Sequence, residues 1–208
     1  MKQEDIIAKK IDIAEKAIRN LAQSGDLKKL TAQAAENIAK FYELKSLNRL
    51  HTAKYIYAAS QHPQHSQLPL TYTDYGESVA AAYYSMYYIV HAYLAALYRT
   101  KLREDLRGVH AITHHIVLYY LVQTKKLAKY LYDEYAKTLE TASALQHITL
   151  DTFQEKAYAL AETYNKNREA RETFTYKTTP SLEAYHAEHA IKYAEEFIHV
   201  LRQLILKH

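Results

Sequence analysis

The chain of 208 residues contains no cysteine, no tryptophan, only three glycines and only three prolines. The absence of cysteine excludes disulfides, thiolate metal sites, iron–sulfur clusters and a cysteine nucleophile, and it suits a reducing compartment. Sheets and barrels need turn residues, so the scarcity of glycine and proline argues against them and leaves no glycine-rich phosphate loop. These absences favour a helical protein of one domain, or of one domain with an appendage.

The chain is rich in tyrosine and carries a small excess of positive charge. There are 21 tyrosines beside four phenylalanines, and 27 basic against 23 acidic residues leave a net charge of +4. That balance allows a polyanionic partner without requiring one. Because a buried tyrosine hydroxyl needs a hydrogen-bond partner, an interior rich in tyrosine is partly polar.

The spacing of apolar residues is helical along nearly the whole chain. We predict helices over about residues 6–21, 26–60, 76–101, 109–121, 125–146, 149–173 and 179–204. Ser24 and Gly25 end the first helix, while Asp74 and Glu77 form a capping box that opens the third. Pro180 suits the first position of the last helix. The predicted fold class is all-α, an up-and-down helical bundle with an N-terminal helical extension.

A stretch of 21 residues without Asp, Glu, Lys or Arg, residues 78–98, is long enough to span a bilayer. It also holds six tyrosines, two serines and His91, and polar side chains at the bilayer centre are costly. We therefore expect a central helix of a soluble bundle and no membrane partner. Charged residues interrupt residues 1–11, so we expect no signal peptide and a cytoplasmic location.

Histidine pairs raise the question of a metal site. His110 and His114 are four residues apart and would share a helix face, which binds a divalent ion only if a third ligand converges. A di-iron bundle needs two Glu-x-x-His motifs, and the chain has one, at residues 183–186. We predict no metal and no other cofactor.

Arginine, histidine and tyrosine remain as the candidates for chemistry. Arginine holds phosphate with a fixed charge, histidine transfers protons near neutral pH, and tyrosine stacks on bases. Together they suit metal-free RNA cleavage, in which a 2′-hydroxyl attacks the phosphate.

Three segments, taken in order, resemble one known family. Residues 78–97, which contain AYYSMYY, are similar to the AYYAMFHAARALL helix of small prokaryotic HEPN (higher-eukaryote and prokaryote nucleotide-binding) proteins. Residues 107–110 resemble that family's SHKGV helix start, and residues 167–176 resemble its R-x-x-A-D-Y helix end. The likeness covers about residues 44–208, so residues 1–43 read as an N-terminal helical extension.

The resemblance implies an α-helical bundle of the HEPN type that forms a homodimer. Many members are metal-independent ribonucleases, often toxins silenced by a partner nucleotidyltransferase. Their active motif is Arg, four to six residues, then His, with a Tyr two beyond. In the matching segment Arg168 is followed by five residues and then Phe174, with Tyr176 two further on. The match therefore implies a site without the catalytic histidine, as in HEPN families that bind nucleotides or partners without catalysis.

Three hypotheses follow. In the first, a HEPN-like dimer holds a nucleotide, RNA or a partner protein in a cleft lined by Asn167, Arg168, Arg171 and Tyr176, with His110 donating a hydrogen bond. In the second, the chain is a metal-independent endoribonuclease of the toxin–antitoxin type, partnered by a minimal nucleotidyltransferase. Other Arg–His pairs would then replace the family's motif, namely Arg103 with His110 and Arg107 with His114, each separated by six residues. In the third, it is a helical scaffold without affinity for nucleotides or RNA.

Two groups of residues have a structural interpretation that we favour over a functional one. Tyr83, Tyr84, Tyr87 and Tyr88 pair at i,i+4 spacing and are expected to pack in the core and in a dimer rather than to stack on bases. The basic residues between 99 and 107 are expected to form a solvated turn rather than a nucleic-acid footprint.

Overall fold

A computed structural model describes residues 3–103, 105–145 and 180–207 of the chain. The described elements are α1 (Gln3–Gln23), β1 (Leu27–Lys29), α2 (Ala32–Gln61), a 3-10 turn (Pro63–His65), α3 (Tyr75–Tyr98), β2 (Thr100–Leu102), α4 (Val109–Val117), a π-helical turn (Leu118–Val122), α5 (Lys129–Leu145) and α6 (Pro180–Leu206). The prediction of a mostly helical protein is confirmed. The sequence analysis did not predict the one pair of three-residue strands that the structure adds to the helices.

Local signals place several helix ends where the sequence predicts them. Helix α1 stops just before Gly25, which takes the left-handed conformation with φ 75°. Helix α3 is capped by Asp74, whose carboxylate accepts a hydrogen bond from the Glu77 amide at 3.2 Å. Helix α6 begins at Pro180, a residue whose fixed φ suits a first turn.

The second predicted helix begins later than expected. Residues 27–29 form strand β1, so α2 starts at Ala32, and the Thr31 side chain caps it by accepting a hydrogen bond from the Ala34 amide. Helix α2 then runs unbroken to Gln61, through the proposed boundary between residues 43 and 44. That domain boundary stays a prediction.

Helix α3 is the most deeply buried of the described helices, and α2, α5 and α6 pack around it. Its fully buried side chains include Val79, Met86, Ile89, Val90 and Leu94. Burial of one side chain of this size stabilises the fold by roughly 1.5–3 kcal/mol. Because α3 buries several of them, it supplies much of the hydrophobic core. No described helix is long and apolar enough to cross a membrane.

Serine hydroxyls fasten α2 to α3 where the two helices meet. Ser46 donates to the Ser85 carbonyl oxygen at 2.7 Å, and Ser78 donates to the Ala53 carbonyl oxygen at 2.8 Å. Both donors are buried. Small side chains let the helix backbones approach closely, and each hydroxyl is satisfied by the facing helix.

The strands join two links that lie far apart in the sequence. Strand β1 pairs antiparallel with β2, with Leu27 opposite Leu102, Lys28 opposite Lys101 and Lys29 opposite Thr100. The ladder ties the α1–α2 link to the α3–α4 link, while α1 packs on α4 and its Ala14, Ile18 and Leu21 join the common core. The N-terminal helix is therefore part of the same hydrophobic cluster as α3.

The second half of the chain follows the predicted helices less closely. Helix α4 gives way to a π-helical turn at residue 118, and α5 starts at Lys129 rather than at residue 125. Lys125 has φ 58°, a left-handed conformation that ends helical geometry there. The helix predicted over residues 149–173 lies outside the described residues.

Candidate functional site

Helix α3 carries two neighbouring rows of aromatic side chains, because residues four apart share a helix face. Tyr83, Tyr87 and His91 form the row that contacts α4. Tyr84 and Tyr88 form the row that contacts cations of α2. Tyr83 and His91 are buried, whereas Tyr84 and Tyr88 are half-buried. The two rows therefore lie in different surroundings.

His110 lies in the first turn of α4, just after Gly108, which takes the left-handed φ of 70° and begins the helix. Its Nδ1 is 2.8 Å from the hydroxyl of Tyr83, and its ring contacts those of Tyr84 and Tyr87, with centroids 5.5 and 4.9 Å away. Burial among these rings lowers the pKa of His110 to about 4. The imidazole is therefore neutral at pH 7, with about one molecule in a thousand protonated.

His91 is held in one tautomer by its partner. Its Nε2 is 3.2 Å from the Thr113 hydroxyl oxygen, and that hydroxyl donates to the Val109 carbonyl oxygen at 2.7 Å. Since the Thr113 proton is already used, Nε2 of His91 must be the donor. Burial, followed by the neighbouring His110, lowers the pKa of His91 to about 4.

His114 contacts a different pair of tyrosines. Its Nε2 is 2.5 Å from the Tyr132 hydroxyl, and its ring centroid lies 6.1 Å from that of Tyr135. Burial is the main reason that the pKa of His114 falls to about 3, with His115 and Lys10 adding to it. All three histidines are thus neutral hydrogen-bonding groups within one aromatic cluster.

Outside this cluster, cations of α2 lie over tyrosines of α3. Lys45 Nζ is 4.8 Å from the ring centroid of Tyr88 and 5.2 Å from that of Phe41, and the guanidinium carbon of Arg49 is 5.9 Å from the ring centroid of Tyr84. Antiparallel packing of the two helices accounts for this register, in which the later α2 residue meets the earlier α3 residue. We call these five residues the basic–aromatic face.

The basic–aromatic face has a charge that is open to solvent. Lys45 and Arg49 are exposed, and neither forms an ion pair with a carboxylate of the described ranges 3–103, 105–145 and 180–207. Phe41 exposes 55% of its surface. Exposed cations beside aromatic rings can hold phosphate groups while the rings stack on bases.

The face and the histidine cluster meet at Tyr84. Arg49 of α2 contacts the Tyr84 ring, and His110 of α4 contacts the same ring. Burial raises the pKa of the Tyr84 hydroxyl, and the charge of Arg49 opposes that rise. The fold thereby brings an arginine and a histidine to one tyrosine from distant parts of the chain.

The predicted catalytic arginines lie in the segment before α4. Arg103 forms ion pairs with Asp26 at 3.0 Å and with Asp105 at 2.7 Å, so two carboxylates compensate its charge. Arg107 is exposed in the turn that leads into α4. His110 and His114 share α4 as predicted, but their hydrogen bonds go to different tyrosines, Tyr83 and Tyr132.

The residues predicted to line the ligand cleft, Asn167, Arg168, Arg171 and Tyr176, lie outside the described residues, as does Phe174. Among the side chains that the structure describes, no three His, Cys, Asp or Glu groups converge in a way that could hold a metal ion.

No family model matches the chain, and neither a curated protein nor a solved structure matches it. The HEPN resemblance, with the homodimer and the nucleotidyltransferase partner that it implies, therefore stays a prediction.

The basic–aromatic face is absent from the sequence-based candidates. Phe41, Lys45 and Arg49 stand four residues apart, so the sequence does contain a signal that they share one side of α2. Nothing local indicates that this row lies over Tyr84 and Tyr88, because that contact depends on how α2 and α3 pack.

Proposed function

We propose that this chain is a binding protein for single-stranded RNA or a nucleotide, held on the basic–aromatic face. The observation that carries the proposal is the pair of exposed cations, Lys45 and Arg49, over the tyrosine rings of α3. These residues are about one helical turn apart, so about 6 Å along the axis of α2 separates their positions. That distance is similar to the spacing of successive phosphates in a nucleic-acid strand. Phe41 offers a half-open ring on which a base can stack.

The neutral histidine cluster supports binding more directly than catalysis. A general base works best with a pKa near the operating pH, and burial holds the pKa of His110 at about 4. A neutral imidazole can still hydrogen-bond a sugar or base that reaches Tyr84. The resemblance to nucleotide-binding HEPN proteins is consistent with this role.

Fluorescence anisotropy with a labelled 12-nucleotide oligouridylate tests the proposal. The double variant Lys45→Ala/Arg49→Ala is expected to bind at least tenfold more weakly, with a shallower dependence of affinity on salt, because two phosphate contacts are lost. The matched control is Lys40→Ala/Lys54→Ala, which removes two exposed lysines of the same helix that form ion pairs with Glu36 and Glu195. Equal losses in the two double variants, or no binding by the native protein, would contradict the proposal.

Metal-independent RNA cleavage is the second candidate function. It is favoured by the meeting of Arg49 and His110 at Tyr84, since an arginine can hold the phosphate that a nearby imidazole acts upon. Incubation of RNA with the protein in excess chelator would then give cleavage that His110→Asn abolishes and that His51→Asn, on the exposed side of α2, leaves intact. Intact RNA in all samples removes this candidate.

A further inference from the structure

The ammonium group of Lys45 occupies a notch between two rings of the basic–aromatic face. Its Nζ lies over the ring of Tyr88, at 4.8 Å from the centroid, and over the ring of Phe41, at 5.2 Å. A flat nucleobase needs about 3.5 Å of free space above an aromatic ring on which it stacks. A base could therefore cover these rings only by taking the place of the ammonium group.

The notch has one fixed wall and one open wall. The ring centroid of Tyr88 is 6.0 Å from that of Tyr42 and 6.3 Å from that of Tyr84, and the Tyr42 ring also contacts the buried His91 at 5.3 Å. The plane of the Tyr42 ring lies 19° from that of Tyr88 but 64° from that of Phe41. Tyr88 and the exposed Phe41 are therefore steeply inclined to each other, and the notch has the shape of a V.

Lys45 is bound only weakly in this notch. Its side chain is exposed, and within residues 3–103, 105–145 and 180–207 it forms no ion pair. A cation over a ring at an exposed site contributes little, whereas stacking of a base on an aromatic side chain is a stronger interaction. A base that enters the notch can therefore displace the ammonium group.

The other cation of the face does not lie between two rings. Among the rings of the described residues, Arg49 lies over that of Tyr84, at 5.9 Å from the centroid. The inner part of Tyr84 already packs against His110, whose ring plane is inclined by 70° to it. Lys45 is therefore the cation of this face whose position decides whether an aromatic notch is open or filled.

We propose that the notch between Phe41 and Tyr88 binds one unpaired purine base, and that the Lys45 side chain leaves the notch to pair with a phosphate of the same strand. This inference deepens the proposed function and rests on it for the identity of the strand. Lys45 exchanges two ring contacts for a phosphate contact, while the base covers the rings that the ammonium group leaves. A purine is preferred to a pyrimidine, because its two fused rings cover more of the Tyr88 face.

A neutral nucleoside separates the two roles of Lys45, because it offers a base without a phosphate. The probe is 2-aminopurine riboside, whose fluorescence is quenched when the base stacks on an aromatic ring. Lys45→Ala is expected to bind this riboside about threefold more tightly than the native protein does, because the notch is vacated. The same variant is expected to bind a labelled 12-nucleotide oligoadenylate about three- to tenfold more weakly, with a salt slope smaller by about 0.7, because one phosphate contact is lost.

Matched variants control for charge and for the loss of a ring. Lys40→Ala removes an exposed lysine of the same helix that pairs with Glu36, and it should leave riboside binding unchanged. Tyr88→Leu is expected to weaken riboside binding at least fivefold and Phe41→Leu about threefold. Tyr55→Leu removes another ring of α2 that is 66% exposed, and it should have no effect. Since Phe41 is on the surface, its variant reports on the notch even if Tyr88→Leu does not fold.

The outcomes distinguish this inference from the function on which it rests. If Lys45→Ala/Arg49→Ala loses affinity for RNA, but Lys45→Ala does not bind the riboside more tightly than the native protein, the notch inference is wrong and the proposed function stands. Equal riboside binding by Phe41→Leu and Tyr55→Leu also overturns the inference. If the native protein binds the riboside but no RNA, the proposed function is wrong, and the assignment of Lys45 to a phosphate falls with it.

Discussion

The two aromatic rows of α3 are made of similar residues and differ in what surrounds them. The row of Tyr83, Tyr87 and His91 packs against His110 of α4, and burial lowers the pKa values of both His91 and His110. The row of Tyr84 and Tyr88 lies beneath exposed cations of α2. A rotation of about 100° around one helix thus separates a neutral, hydrogen-bonded interior from a charged surface. The first row is suited to stability and the second to contact with an anion.

The largest expected difference between interior and surface concerns phenylalanine. Phe197 is fully buried and stacks with Tyr135 at 5.5 Å, whereas Phe41 is 55% exposed. We expect Phe197→Ala to lower the free energy of unfolding by about 3–5 kcal/mol and Phe41→Ala to change it by less than about 0.5 kcal/mol. Urea unfolding followed by circular dichroism measures the free energy of unfolding of both variants. Similar losses in the two variants would mean that the Phe41 side chain does not lie on the protein surface.

Acid provides the next test of the interior row. Since the folded-state pKa values of His91 and His110 are about 4, the unfolded chain binds more protons between about pH 4 and pH 6.5. The neutral histidines therefore contribute their full stability above about pH 6.5 and lose it as the pH falls towards 4, by about 3 kcal/mol for each group. Urea unfolding at a series of pH values should show this loss.

A histidine variant sharpens the acid experiment. His91→Gln is expected to flatten the dependence of stability on pH between 6.5 and 4, while His51→Gln, on the exposed side of α2, controls for the removal of a histidine as such. Parallel stability curves for His91→Gln and the native protein would show that His91 is not held neutral by the fold.

A smaller difference is expected for hydroxyl groups. The buried Ser46 donates to the Ser85 carbonyl oxygen where α2 and α3 pack together, whereas Thr52 donates to the Asn48 carbonyl oxygen on the exposed side of α2. Ser46→Ala should lower the free energy of unfolding by about 1 kcal/mol, because a buried hydrogen bond is lost, and Thr52→Ala should have little effect. Hydrogen exchange of α2 amides offers a second readout, in which only Ser46→Ala should reduce protection.

Helix ends were predictable because they depend on neighbouring residues. The left-handed Gly25 after α1, the Asp74 cap of α3 and the proline that opens α6 all act within one helical turn. The strand pair could not be predicted in this way. Strand β1 has three residues and no extended alternation, and its partner lies beyond two helices, so its formation depends on a long-range contact.

The candidate site shows the same division between local and long-range information. The spacing of Tyr84 and Tyr88 indicated that they share a face, and His110 was a candidate from its position before His114. The cations above the tyrosines were missed because α2 and α3 meet only in the packed structure. Arg103 was a catalytic candidate by spacing, yet its guanidinium forms an ion pair with Asp26, and five structural elements separate these two residues in the chain.

The sequence by itself determined that the protein is mostly helical, where several helices begin and end, and which side chains share a helix face. Those properties follow from interactions within a few residues of backbone, which the residue types encode directly. Only the tertiary structure decided which row of α3 is buried, which histidines stay neutral and where the uncompensated positive charge of α2 lies. These depend on desolvation and on charges that come from other helices, and neither can be evaluated until the helices are packed.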